Sequence, residues 1–184
     1  MTNSRGDPII LNIPTEDLLE KRYDFHGIFT LLVRSKSLKA HRHFQAEYGH
    51  FETDATPSVD LVVTVGKFHF QPEADMRLTR GYGVQDDWIY GSDRYKIATW
   101  DFAMTSPHKP QTEIFFQGTM FSLDFLQHIL VEQIMRYKMS LKGFLLIHGG
   151  CIAERTGSVL FVGPGDCGKT TLALQQVYEG WAFQ

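Results

Sequence analysis

The sequence predicts a mixed α/β chain, α+β in layout: an antiparallel-β-rich N-terminal region followed by a partial nucleotide-binding core of the P-loop type. Three observations predict it. Short aromatic and β-branched runs alternate with Gly/Asp/Pro turns through the first two thirds of the chain. One long amphipathic stretch follows Ser122. Near the C-terminus a strand, a glycine-rich loop and a helix succeed one another without a gap. The reading divides the chain into a lead-in at 1–20, a β-rich region at 21–120, and a connecting helix with an incomplete core at 121–184.

The elements follow in order. Residues 1–20 are polar and punctuated by proline. Tyr23-Asp24-Phe25 and Ile28 to Val33 read as two strands joined through His26-Gly27, a tight hairpin signal. Leu38, His41, Phe44, Gln45 and Tyr48 have helical spacing, with Ser35 or Ser37 as cap and Gly49 as stop. Asp54 to Ser58 reads as a turn, Val59 to Val65 as a strand broken by Gly66, and Phe68-His69-Phe70 as its continuation. Met76 to Thr79, Trp88-Ile89-Tyr90 and Tyr95 to Trp100 read as short antiparallel strands. Glu113 to Gln117 adds one more, closed by Gly118.

Ser122 reads as the cap of the longest helix, with Asp124 in its first turn and Arg136 and Lys138 in its last, as the dipole favours. Leu123, Leu126, Leu130 and Ile134 form its apolar stripe, with Phe125, Ile129 and Met135 beside it. Gly143 ends it. Phe144 to His148 is expected as a strand, extended or followed by Gly150 to Ala153. After a turn at Glu154 to Gly157, Ser158 to Val162 is expected as the strand that feeds the loop. Gly180 stops the last helix and Trp181-Ala182-Phe183 opens a further strand.

Bulk properties narrow the field. Of the 184 residues, 43% are hydrophobic and 21% charged, the balance of an ordinary soluble globular chain. A formal net charge of −3 gives no reason to expect nucleic acid or an anionic membrane as partner. No apolar run is long enough to span a bilayer, and the first residues lack the core of a secretory signal. Two cysteines, Cys151 and Cys167, make no disulfide framework, which suits a cytoplasmic protein. Cys167 reads as an ordinary small loop residue, with a redox-sensitive thiol as the alternative.

The chemistry concentrates in Gly163-Pro164-Gly165-Asp166-Cys167-Gly168-Lys169-Thr170, which fits G-x-x-x-x-G-K-[ST]. Gly163, Gly165 and Gly168 let the backbone approach a ligand closely, so that loop amides form an anion-binding nest. The helix beginning here adds its positive end. Lys169 would reach the β- and γ-phosphates of ATP, and Thr170 would offer its hydroxyl to Mg²⁺. Cys167 and Thr171 complete the cofactor-binding stretch. Asp166 would be repelled by phosphate if it pointed inward, so it is read as turned to solvent or toward Mg²⁺ through water. His41 and His43, at i and i+2, diverge on a helix and read as surface histidines. Asp86 and Asp87 read as a turn before Trp88.

Ile147-His148-Gly149-Gly150-Cys151, then Gly157 through Leu174, then Glu179-Gly180-Trp181 resemble the HPr kinase/phosphorylase family, and more closely the HPr-kinase-related proteins of bacteria. The matching steps are a His-Gly pair ending a strand, a turn, the phosphate loop, and a helix ending in a Glu-Gly-aromatic step. The resemblance covers Phe144 to Phe183. It implies an ATP- and Mg²⁺-dependent kinase with a core similar to that of phosphoenolpyruvate carboxykinase, acting on a protein or small-molecule hydroxyl, and it implies self-association. It places His148 beside the γ-phosphate; the alternative is a strand-end histidine bonded to a backbone carbonyl. The family's acidic pair lies beyond Gln184, so the expectation is little turnover by these 184 residues. A P-loop ATPase of another class and a non-catalytic partner-binding module stand as the alternative functions.

Overall fold

The computed structural model describes residues 17–69, 77–79 and 81–183, with the backbone alone at 77–79 and 183. Residues 1–16 of the expected 1–20 lead-in, and Phe70 and Met76 of two expected strands, lie outside the described residues; Leu19 and Glu20, counted in that lead-in, open the first strand. The chain forms a mixed α/β structure in two compact units, 1–144 and 145–184.

The first unit is built on an eight-stranded sheet. Its strands are β1 (Leu19–Phe25), β2 (Phe29–Ser35), β3 (Leu61–Val65), β4 (Arg77–Thr79), β5 (Tyr82–Gln85), β6 (Trp88–Tyr95), β7 (Ala98–Thr105) and β8 (Thr112–Gly118). Their spatial order is β1-β2-β3-β8-β7-β6-β5-β4. Most neighbours are antiparallel, as expected, but β2, β3 and β8 at the centre run parallel. The parallel pairing follows from helix α1 (Leu38–Tyr48), which carries the chain back from the end of β2 before β3 begins. Ser37 caps that helix, its Oγ accepting from the Ala40 amide at 3.3 Å.

The β1–β2 turn is the one the sequence marks. His26 and Gly27 both take left-handed angles, φ 57° and 72°. Two strand expectations need correction. Tyr95 to Trp100 is not one strand: Lys96 takes φ 55°, and a hairpin turn at Lys96-Ile97 separates β6 from β7. Phe68 lies outside regular structure, because Gly66 ends β3 and its amide already donates to the Phe116 carbonyl at 2.9 Å.

One face of this sheet carries the core. Tyr23, Phe29, Leu31, Val33, Leu61, Val63, Ile114 and Phe116 are fully buried. Their alternation along each strand puts them on a common side. Phe44 and Tyr48 of α1 cover them on the β1–β2 side, where the Tyr48 ring meets Tyr23 and Phe25 edge-on at 6.0 and 5.3 Å. Farther along, the Phe125 ring stacks on Trp100 at 4.3 Å.

Phe125 belongs to a rod that starts with a 3-10 turn at Met120–Ser122. It continues as α2 (Leu123–Phe125), a π-helical stretch Leu126–Val131, and α3 (Glu132–Leu141). Ser122 does not cap this rod as expected. Its Oγ donates to the Thr119 carbonyl at 2.6 Å, closing the preceding turn instead. The buried positions come in pairs four apart: Leu126/Gln127, Leu130/Val131, Ile134/Met135 and Lys138/Met139. Four residues of ideal α-helix overshoot a full turn by about 40°. The wider π turns rotate less per residue and offset that drift, so the same face stays on the sheet. Ile129, expected beside the stripe, is turned to solvent.

Lys138 sits in the last turn of α3, as the sequence suggests. It is buried, and its Nζ donates to the carbonyls of Lys109 and Pro110 at 2.7 and 2.9 Å. Burial draws its ammonium below the usual lysine range, against the opposing pull of Asp60. At the opposite end of the parallel strands from Gly66, Asp60 accepts the Thr30 amide at 2.9 Å and Lys142 Nζ at 2.7 Å. Lys142 also donates to the Ile28 carbonyl. Among the described residues no helix is long and apolar enough to cross a membrane.

Two tests follow. Lys138→Ala leaves the Lys109 and Pro110 carbonyls without their donor, and urea unfolding is expected to show a loss of about 1–3 kcal/mol. Unchanged stability would show that water replaces the ammonium. Tyr23 is fully buried and its hydroxyl has no partner among the described residues. Burial, with the Glu52 charge second, pushes its pKa up to about 12. The folded value lies above the unfolded one, so stability is complete below about pH 10 and falls as pH rises toward 12. Tyr23→Phe is expected to flatten that alkaline loss and to cost nothing at neutral pH; an unchanged pH profile would contradict the assignment.

Candidate phosphate-binding loop

The second unit begins with a hairpin. β9 (Gly149–Glu154) and β10 (Gly157–Val162) pair antiparallel from Gly157↔Glu154 to Val162↔Gly149, turning through Arg155 and Thr156. Phe144 to His148 is not a strand, contrary to expectation. The left-handed Gly143 (φ 82°) closes α3 with the Phe144 amide on the Met139 carbonyl, and the chain reaches its first pairing only at Gly149.

After β10 the chain enters the loop 163–168 and then α4 (Lys169–Tyr178). Gly180, at φ 103°, ends the helix and sends the chain into β11 (Ala182–Phe183). β11 pairs with β9, antiparallel, on the side away from β10. β10 and β11 therefore run in the same direction with β9 between them, and α4 makes the crossover. Helix and sheet meet at a narrow point. Ala173 and Ile152 are buried, and a Cβ on Gly150 would touch the Ala173 methyl at 3.7 Å. That is an ordinary contact distance, so an alanine at 150 would fit against α4 without displacing it.

The loop has a definite shape. Asp166 and Gly168 take left-handed angles, φ 59° and 85°. Gly168 does so at no steric cost, and α4 starts immediately after it. A Cβ on Gly163 would come within 2.8 Å of Cys167 Sγ, so any larger residue at 163 would require the Cys167 side chain to turn away. The amides of Gly165, Asp166, Cys167 and Gly168 have no hydrogen-bond partner among the described residues. Those of Lys169 and Thr170 open α4 and likewise lack one. Lys169 folds back across the loop. Its Nζ donates to the carbonyls of Gly163 and Pro164 at 2.9 and 2.7 Å, with Cys167 Sγ at 3.9 Å.

The remaining predicted residues group around this loop. Asp166 is exposed, as are its neighbours Gly165 and Cys167. Thr170 and Thr171 are exposed in the first turn of α4. His148 is exposed and makes no hydrogen bond to a described residue. It directly precedes Gly149, whose register partner Val162 is the last residue before the loop. The arrangement presents a row of unpaired amides, a helix N-terminus and one ammonium, which together attract an anion. Elsewhere, His41 is buried in α1 with Nε2 at 3.1 Å from the Ser35 carbonyl, which corrects its reading as a surface histidine. Asp86 (φ 48°) and Asp87 form the expected turn, and Asp87 pairs with Lys109 at 3.1 Å. No cluster of three His, Cys, Asp or Glu suited to a metal occurs among the described residues.

Comparison with family models, with curated proteins and with solved structures gave no match.

The two thiols differ in access: Cys167 is exposed on the loop and Cys151 is half-buried in β9. Under native conditions iodoacetamide is expected to modify Cys167 first, as read by peptide mass spectrometry. Equal rates at both cysteines would mean the loop is packed more tightly than described.

Proposed function

We propose that the loop from Gly163 to Thr170 holds the triphosphate tail of ATP, and that the chain belongs to a phosphotransferase of the HPr-kinase-related kind. The observation that carries the reading is the row of unpaired amides from Gly165 to Thr170 at the start of α4, spanned by the Lys169 ammonium. A triphosphate supplies the acceptors that these donors lack, and its charge is favoured by the helix end. The kinase assignment, as distinct from phosphate binding, rests on the resemblance of His148-Gly149, the loop, and Glu179-Gly180-Trp181.

In this reading the amides of Gly163, Gly165, Asp166, Cys167 and Gly168 hold and orient the phosphates. Lys169 neutralises charge on the β- and γ-phosphates. Thr170 would hold Mg²⁺ through its exposed hydroxyl, and Thr171 would donate to a phosphate oxygen. Mg²⁺, when bound with the nucleotide, withdraws charge from the phosphoryl group. His148, at the loop entrance, would hold a proton close to the transferred group, and the acceptor is a protein or small-molecule hydroxyl. The reading places the protein in the cytoplasm, with self-association and no nucleic-acid or membrane partner.

Calorimetric titration with Mg²⁺-ATP tests it. Lys169→Ala is expected to weaken binding by at least about tenfold. Mg²⁺-ATP is also expected to slow alkylation of Cys167 while leaving Cys151 unchanged. Equal affinity in the variant, together with no protection of Cys167, would remove both the kinase and the ATPase readings and leave a non-catalytic module.

A further inference from the structure

The three parallel strands of the larger sheet end together at Ser35, Val65 and Gly118, and a crevice of about 670 Å³ opens beyond those ends. The carboxyl edge of parallel strands is where open α/β sheets receive ligands, and the size lies in the range of small-molecule sites. Val65, Trp100, Met120 and Leu123 supply its apolar wall. A smaller lobe of about 280 Å³ continues from it past Leu18 and Lys36, sharing Val65, Gly66 and Lys67.

The charges are lopsided. Lys36, Lys39 and Lys67 border the two lobes, and none forms an ion pair with a described residue. Among the described residues the one carboxylate in the lining, Asp101, is held by Gln117 Nε2 at 2.8 Å. At the same edge the amides of Leu38 and Lys39, at the start of α1, have no partner among the described residues. Gly66 supplies the space: a Cβ there would meet nothing within 4 Å, and its backbone is not left-handed. The geometry points to this crevice as a binding site for a small organic anion, an acidic group set among the three lysines and an apolar body against Trp100 and Leu123. The site is assigned independently of the phosphate loop.

The test uses the full ¹⁵N-labelled chain titrated with 1-naphthalenesulfonate and, in parallel, with neutral 1-naphthalenemethanol and inorganic phosphate. Saturable shifts are expected at the amides of Leu38, Lys39 and Gly66 with the sulfonate, and affinity about tenfold lower for the alcohol. Lys36→Glu, Lys39→Glu and Lys67→Glu combined should weaken the sulfonate by about tenfold or more. Gly66→Leu should fill the crevice and abolish those shifts while the rest of the spectrum keeps its native dispersion. Phosphate alone should bind more weakly than the sulfonate, because it lacks the apolar body. Equal affinity for sulfonate and alcohol, phosphate binding as tight as the sulfonate, shifts confined to other regions, or a Gly66→Leu variant that still binds would each overturn the assignment.

Discussion

The parallel alignment of β2, β3 and β8 is the constraint on which the larger unit depends. Parallel neighbours must begin at one edge and finish at the other, so each needs a return path. Helix α1 provides one, and the antiparallel excursion through β4 to β7 provides the other. At the starting edge the Asp60 carboxylate ties β2, β3 and the end of α3 together through Thr30 and Lys142. At the finishing edge the bridge is a neutral one, Ser35 Oγ donating to the Val65 carbonyl at 2.8 Å, and the backbone leaves through Gly66 and Gly118. A carboxylate–ammonium pair fastens one edge, and a crevice of about 670 Å³ opens at the other.

The rod from Met120 to Leu141 shows how packing overrides local preference. Its buried side chains repeat every four residues, which a uniform α-helix cannot keep facing one plane. The chain loosens into π geometry for six residues and then tightens again. That choice buries the amide of Gln127 beside the Tyr48 hydroxyl and turns Ile129 outward. The side-chain burial gained along the whole rod outweighs the poorer local hydrogen bonding of the wide turn.

Much of this was legible in the residues. His26-Gly27, the Ser37 cap, Gly49, Gly143 and Gly180 act through backbone angles and capping bonds, which depend on immediate neighbours and so can be read locally. The glycine loop was legible for the same reason. The parallel pairing of β2, β3 and β8 was not, because it depends on which distant strand lies alongside. Tyr95 to Trp100 was misread because the turn at Lys96-Ile97 uses a lysine in a left-handed conformation and no Gly, Pro or Asn marks it. His41 was misread because the Ser35 carbonyl that meets it is brought there only by the turn into α1. Ser122 was misread because its acceptor, the Thr119 carbonyl, precedes the helix and competes with the capping role. Lysines 36, 39 and 67 carry no spacing signal at all; they border one crevice only once two strands have ended and a helix has begun at one edge.

The position of the Lys169 side chain sets a limit on how the glycine loop can share its work. An ammonium group has three protons to give. Two are committed to the oxygens of Gly163 and Pro164, and the third faces only the weak acceptor Cys167 Sγ at 3.9 Å, so that one alone is readily turned to a visitor. The lysine can thus serve as a brace and a point of charge together, but it can grip an incoming oxyanion only once. Multiple-point recognition must come from the peptide groups around the bend, whose directions are locked by torsion angles and not by side-chain identity. On the reading proposed above, selectivity at such a place would follow the outline and charge of a phosphate chain and leave the choice of base to whatever surrounds it.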